Sequence, residues 1–109
     1  LNGIYSVDFI VSDVSDWGDG IITIYNGLFS GGDRAYTYHG RLSDEGGELK
    51  GKVIVRKWSA VTTSVHPGLD NYELDVSGTI VDGQLNFRGA VAGMPDLEIV
   101  GHLRTEILI

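Results

Sequence analysis

Three histidines, His39, His66 and His102, are the residues best suited to hold a metal ion or move a proton at neutral pH. None stands at the short spacing from another that lets two imidazoles share one metal. The carboxylate pairs, Asp13 with Asp16 and Asp44 with Glu45, could serve as acid and base only if one member sat in a dry environment that raised its pKa. Both pairs fall instead in polar stretches that read as turns. There is no Gly-x-Ser-x-Gly elbow. The Gly-Gly pairs lie between strand-like runs rather than ahead of a helix, so they form no phosphate cradle. The expectation is a protein without catalysis, cofactor or metal.

Contact chemistry is better represented. Asp44-Glu45-Gly46-Gly47-Glu48 is an acidic turn beside a strand end, and Asp44, Glu45 and Glu48 are the candidate partner-binding residues. An ordinary solvated turn would have the same composition. The chain carries eight Lys+Arg against fifteen Asp+Glu, a net charge of −7. That balance repels a phosphate backbone, which argues against direct nucleic-acid binding. It suits a basic partner such as a DNA-binding protein, or simply keeps the chain in solution. Trp17 and Trp58 could line a ligand mouth, anchor a partner or plug the core.

Strands must position these groups. Asn26-Gly27 between apolar runs is a two-residue type I′ hairpin signal, and Gly31-Gly32-Asp33 predicts a second reversal soon after. Alternation predicts strands over Gly3 to Val11, Gly20 to Tyr25, Leu28 to Ser30, Ala35 to Leu42, Glu48 to Trp58, Tyr72 to Val81, Gln84 to Ala92 and Leu97 to Ile107. Sixteen glycines and only two prolines suit that many turns. The basic face of the fifth strand, Lys50, Lys52 and Arg56, would lie beside Glu73 and Asp75 on the sixth. The reading is a single all-β domain over residues 1–109, an eight-stranded antiparallel up-and-down β-barrel that leaves no strand edge unpaired.

Gly51, Gly78, Gly89 and Gly101 share the apolar phase of the last four strands, which favours sharp bending and leaves interior room. Turns at 26–27, 43–47 and 82–83 would close one end, and the longer connections at 12–19, 31–33, 59–71 and 93–96 would surround the other. An interior lined by Val53, Val55, Leu74, Val76, Phe87 and Leu103, with Trp17 and Trp58 at the mouth, would hold one small apolar ligand. A carrier of such a ligand and a protein-binding module both remain open on these residues. The apolar end Ile107-Leu108-Ile109 is expected to pack on the barrel or on a second subunit. No apolar run approaches the ~18 residues of a membrane span, there is no signal-peptide pattern, and the absence of cysteine fits a reducing compartment. A soluble, cytoplasmic protein with no membrane partner is expected.

The order Asn2-Gly3-Ile4-Tyr5-Ser6-Val7, Gly18-Asp19-Gly20-Ile21-Ile22, Asn26-Gly27-Leu28-Phe29-Ser30-Gly31-Gly32-Asp33 and Tyr38-His39-Gly40-Arg41-Leu42-Ser43 resembles the GrlR family. These are small bacterial negative regulators of type III secretion. The residue match runs to about Lys57, and beyond it only the strand pattern corresponds. The resemblance implies a lipocalin-like eight-stranded barrel, a homodimer, and regulation by binding and sequestering a DNA-binding transcriptional activator. It places the family's exposed Glu-Asp-Glu-Asp run at Asp44-Glu45-Gly46-Gly47, where the first two positions are acidic and the last two are glycine.

Overall fold

The computed structural model describes residues 2–11, 17–59, 70–81 and 84–108. Eight strands follow in order: β1 (Gly3–Val11), β2 (Trp17–Tyr25), β3 (Leu28–Gly32), β4 (Tyr36–Glu45), β5 (Glu48–Lys57), β6 (Asn71–Val81), β7 (Gln84–Val91) and β8 (Met94–Leu108). Each pairs antiparallel with the next, and β8 returns to pair with β1, closing an all-β barrel. Closure gives each of the eight described strands a neighbour on both sides, so none of them is an edge strand.

The alternation of the sequence is the alternation of the wall. On β5, Leu49, Val53 and Val55 point inward and are buried, while Lys50, Lys52, Ile54 and Arg56 point to solvent. Two apolar clusters fill the barrel. Tyr5, Val7, Ile22, Ile24, Leu42, Leu49, Leu85 and Leu103 pack the end closed by tight turns. Tyr36, Val53, Val55, Leu74, Val91, Leu97 and Ile99 pack the other. Phe29, Tyr38, Val76 and Phe87 touch both.

Several boundaries differ from the sequence reading, each for a local reason. Trp17, Gly18 and Asp19 belong to β2, because their main chain pairs with Ile10, Phe9 and Asp8. Gly31 and Gly32 are strand rather than turn: they pair with Ile22 and Ile21 on one side and with Tyr38 and Thr37 on the other. Lacking a Cβ, Gly31 lets β2 come close; a Cβ there would stand 2.6 Å from Ile22 Cα. The reversal falls on Asp33, whose Oδ1 accepts from the N–H of Ala35 at 2.7 Å and of Tyr36 at 2.8 Å, a side chain standing in for a main-chain turn. Ser43 and Asp44 are strand as well, so the β4–β5 turn shrinks to Gly46 and Gly47.

At the C-terminal end, Ile107 and Leu108 extend β8 by pairing with Ile4 and Gly3. Their side chains are exposed, Leu108 by 72%, so of the two expected places for this end, the barrel or a second subunit, the barrel takes its main chain but not these side chains. Asp13, Asp16, His66, the Asp82-Gly83 turn and Ile109 lie outside the described residues.

Candidate functional site

The β4–β5 hairpin carries the acidic residues. Gly46 and Gly47 both have positive φ, 71° and 91°, the type I′ conformation that matches the twist of the flanking strands. A Cβ at either would meet nothing within 4 Å, so the tip stands clear in solvent. With only two residues in the turn, Glu45 lies directly opposite Glu48, and Asp44 opposite Leu49. The three acids therefore split between two faces. Glu45 and Glu48 share the outer face, whereas Asp44 follows the inward phase of Leu42 and bends back so that its Oδ1 accepts from the Gly47 N–H at 2.9 Å. Asp44 thus braces the turn, and among the described residues no cation pairs with Glu45 or Glu48. The sequence brings out the acidity of this turn but not this division of roles. Placing the reversal at Gly46-Gly47 alone would have revealed it.

The interior is the second candidate. Val53, Val55, Leu74, Val76, Phe87 and Leu103 all line a central cavity of about 60 Å³, together with Tyr36, Tyr38 and Tyr72 nearer the opposite end. That is well below the roughly 150 Å³ of an apolar cavity that admits benzene. The four glycines do face inward, but at two of them a neighbouring side chain uses the room. The Phe87 ring lies over Gly101, where a Cβ would come within 2.5 Å of Phe87 Cζ. Leu74 similarly covers Gly89.

Trp58 is 58% exposed and stands outside the cavity lining. Its Nε1–H donates to the Asp33 carbonyl at 3.0 Å and its main-chain N–H to the Ala35 carbonyl at 2.9 Å, which straps the end of β5 to the β3–β4 reversal. Of Trp17 only the main chain is described.

Sequence reasoning missed the hub of that reversal. The Tyr38 hydroxyl donates to Asp33 Oδ2, so one carboxylate joins the turn to the barrel interior. Burial, then the bond to Asp33 and its charge, pushes the Tyr38 phenol above its ordinary range. Burial, followed by the nearby Tyr36 and Asp33, does the same to Tyr72. Both phenols stay neutral at physiological pH, and that of Tyr38 acts as a structural donor rather than as a base. The signal available beforehand was Asp33 five residues before a tyrosine of the inward phase.

His39 and His102 are exposed on different strands, and His102 Nδ1 bonds Asn86 Oδ1. Among the described residues no group of three His, Asp or Glu is arranged to hold a metal ion.

No curated protein matches the chain. The family model described as the T3SS negative regulator GrlR does match, over residues 1–107, which reaches every strand of the barrel and ends one residue before the end of β8. A closed eight-stranded barrel with a solvent-projecting acidic hairpin therefore has its place: the chain belongs to the GrlR family of type III secretion negative regulators.

Proposed function

We propose that this protein regulates without catalysis, by binding a basic, DNA-binding transcriptional activator through the tip of the β4–β5 hairpin and holding it off DNA in the cytoplasm. The observation that carries this reading is the opposed pair Glu45 and Glu48, exposed on a projecting turn with no cation among the described residues to neutralise it. Like charges placed directly across a ladder destabilise it, and a basic partner relieves that repulsion. Carboxylates bind Lys and Arg through charge-assisted hydrogen bonds, as phosphates do. An acidic tip on a chain of net charge −7 competes for the residues that grip the DNA backbone while being itself repelled from DNA. Family membership supplies the regulatory context. Two copies meeting over the exposed Ile107 and Leu108 would give the homodimer that the sequence resemblance implies, since apolar side chains left in solvent are commonly covered by a partner.

The alternative, a carrier of a small apolar ligand, ranks below because the interior is nearly filled. Native mass spectrometry of the tagged protein, purified gently from its host cells, tests the first reading. A co-purified basic DNA-binding protein, lost when Glu45 and Glu48 are both replaced by Ala, is the expected result. A complex that survives the double substitution would refute the assignment of the tip.

A further inference from the structure

The positive charge of this acidic chain is gathered on one wall. Six of the eight Lys and Arg residues, Arg34, Arg41, Lys50, Lys52, Arg56 and Lys57, fall between positions 34 and 57, on β4, β5 and the reversal before them. Arg41 lies directly opposite Lys52, a second like-charge pair on the same hairpin and of opposite sign to the tip. Four residues of strand, roughly 13 Å, separate the two rows. Exchanging one acid with one base would neutralise both rows, yet they stand unmixed.

Lys52 reaches Glu73 at 3.7 Å and Asp75 at 4.0 Å, whereas Arg41, Lys50 and Arg56 have no carboxylate directly across the ladder. Lys50 lies between Ser43 and Ser77, Arg56 between Thr37 and Asn71, and Arg41 has Leu28 on its other side. Among the described residues no carboxylate pairs with Arg41, Lys50 or Arg56. The apolar side of this strip is also uncovered: Leu28 and the Tyr25 that faces it across the β2–β3 hairpin are about half exposed. A row of outward side chains thus runs Tyr25, Leu28, Arg41, Lys52 from β2 to β5.

We propose that the outer face of β3–β5 is a second docking surface, for an acidic segment of a partner protein that also carries apolar side chains, with Arg41, Lys50 and Arg56 taking its carboxylates and Tyr25 and Leu28 its apolar groups. The charge complementarity selects the occupant. A nucleic acid would meet the same cations, but its continuous backbone charge is repelled by a chain of net charge −7 and it would gain nothing from Tyr25 and Leu28. The inference rests on the regulatory reading and extends it: a partner gripping both the tip and this wall must present a basic patch and an acidic one, which fixes its orientation as well as its affinity.

The test uses the whole chain and a fluorescein-labelled peptide alternating Glu with Leu and Phe. Two control ligands accompany it: a peptide of equal charge with Ser in place of the apolar residues, and a DNA duplex. Saturable binding of the first peptide is expected, weakened roughly tenfold by K50E/R56E and by added salt. The Ser peptide should bind less tightly to the wild type, and Y25S/L28S should abolish that difference. The milder K50Q/R56Q pair, checked by its melting curve, guards against a misfolded reversal variant. Equal binding by wild type and K50Q/R56Q, or DNA binding as tight as the first peptide, would overturn the proposal. Since Glu45 and Glu48 remain in these variants, E45A/E48A measured against the same peptide separates the two surfaces: it should leave peptide binding as tight or tighter, even where it abolishes capture of the activator.

Discussion

Glu45 and Glu48 occupy directly opposed positions on the outer face of the β4–β5 hairpin, with only Gly46 and Gly47 between them. Opposed like charges weaken a ladder and opposed unlike charges strengthen it, each by about 0.2–1 kcal/mol. Glu48→Lys is therefore expected to raise stability by about 0.5–1 kcal/mol while reducing capture of the activator. Urea denaturation combined with co-purification checks both. A variant that is less stable, or that binds as well as wild type, contradicts the functional use of this pair.

The packing of Phe87 over Gly101 makes a second expectation. Gly101→Ala places a methyl group against the Phe87 ring and 2.8 Å from the Asp8 carbonyl oxygen. Overpacking of this kind costs about 1–3 kcal/mol. Adding Phe87→Leu should recover only part of the loss, because the Asp8 carbonyl is main chain and cannot turn away. Full recovery in a thermal melt would show that the ring alone sets the limit.

The phenols of Tyr38 and Tyr72 are held above their ordinary range by burial and by Asp33. Above about pH 10 the unfolded chain releases these protons and the native protein keeps them. Their contribution to stability is thus complete below that pH and falls as pH rises, by about 1.4 kcal/mol per pH unit for each tyrosine. Tyr38→Phe should cost about 1 kcal/mol near neutrality through the lost bond to Asp33, yet show a shallower decline in alkali. Denaturant midpoints across the alkaline range, compared between the two proteins, decide this; parallel slopes would exclude Tyr38 as a source.

How much of this was legible beforehand depends on range. Alternation on β1, β5 and β6 and the Asn26-Gly27 turn specify the barrel, because a strand with one buried face can be read from its own residues. The Gly-Gly pairs were harder. Gly31-Gly32 and Gly46-Gly47 look alike in sequence, but the first is strand because Asp33 supplies the turn just after it, and the second is the turn itself. Interior space was not legible for a related reason. The four glycines could be placed on the inner face, but the aromatic that fills the gap at Gly101 comes from a neighbouring strand, through the β7–β8 register that pairs Phe87 with it. Trp58 belongs to the rim rather than the cavity because its indole N–H finds the Asp33 carbonyl, a contact between residues far apart in the chain.

A filled interior has its own consequence. With about 60 Å³ free, an environment-sensitive apolar dye should show no saturable binding to the native protein. Binding near one dye per chain, with a matching change in tryptophan fluorescence, would move the function toward a carrier.

The most direct measurement is displacement: a basic DNA-binding protein that co-purifies with this chain is bound to its fluorescent DNA site, and this protein is titrated in. Wild-type protein should release the DNA in proportion to complex formed, and E45A/E48A should need a much higher concentration while melting as wild type does. Equal displacement by the two proteins, or an activator that stays on its DNA when saturated with wild type, would contradict sequestration through the β4–β5 tip.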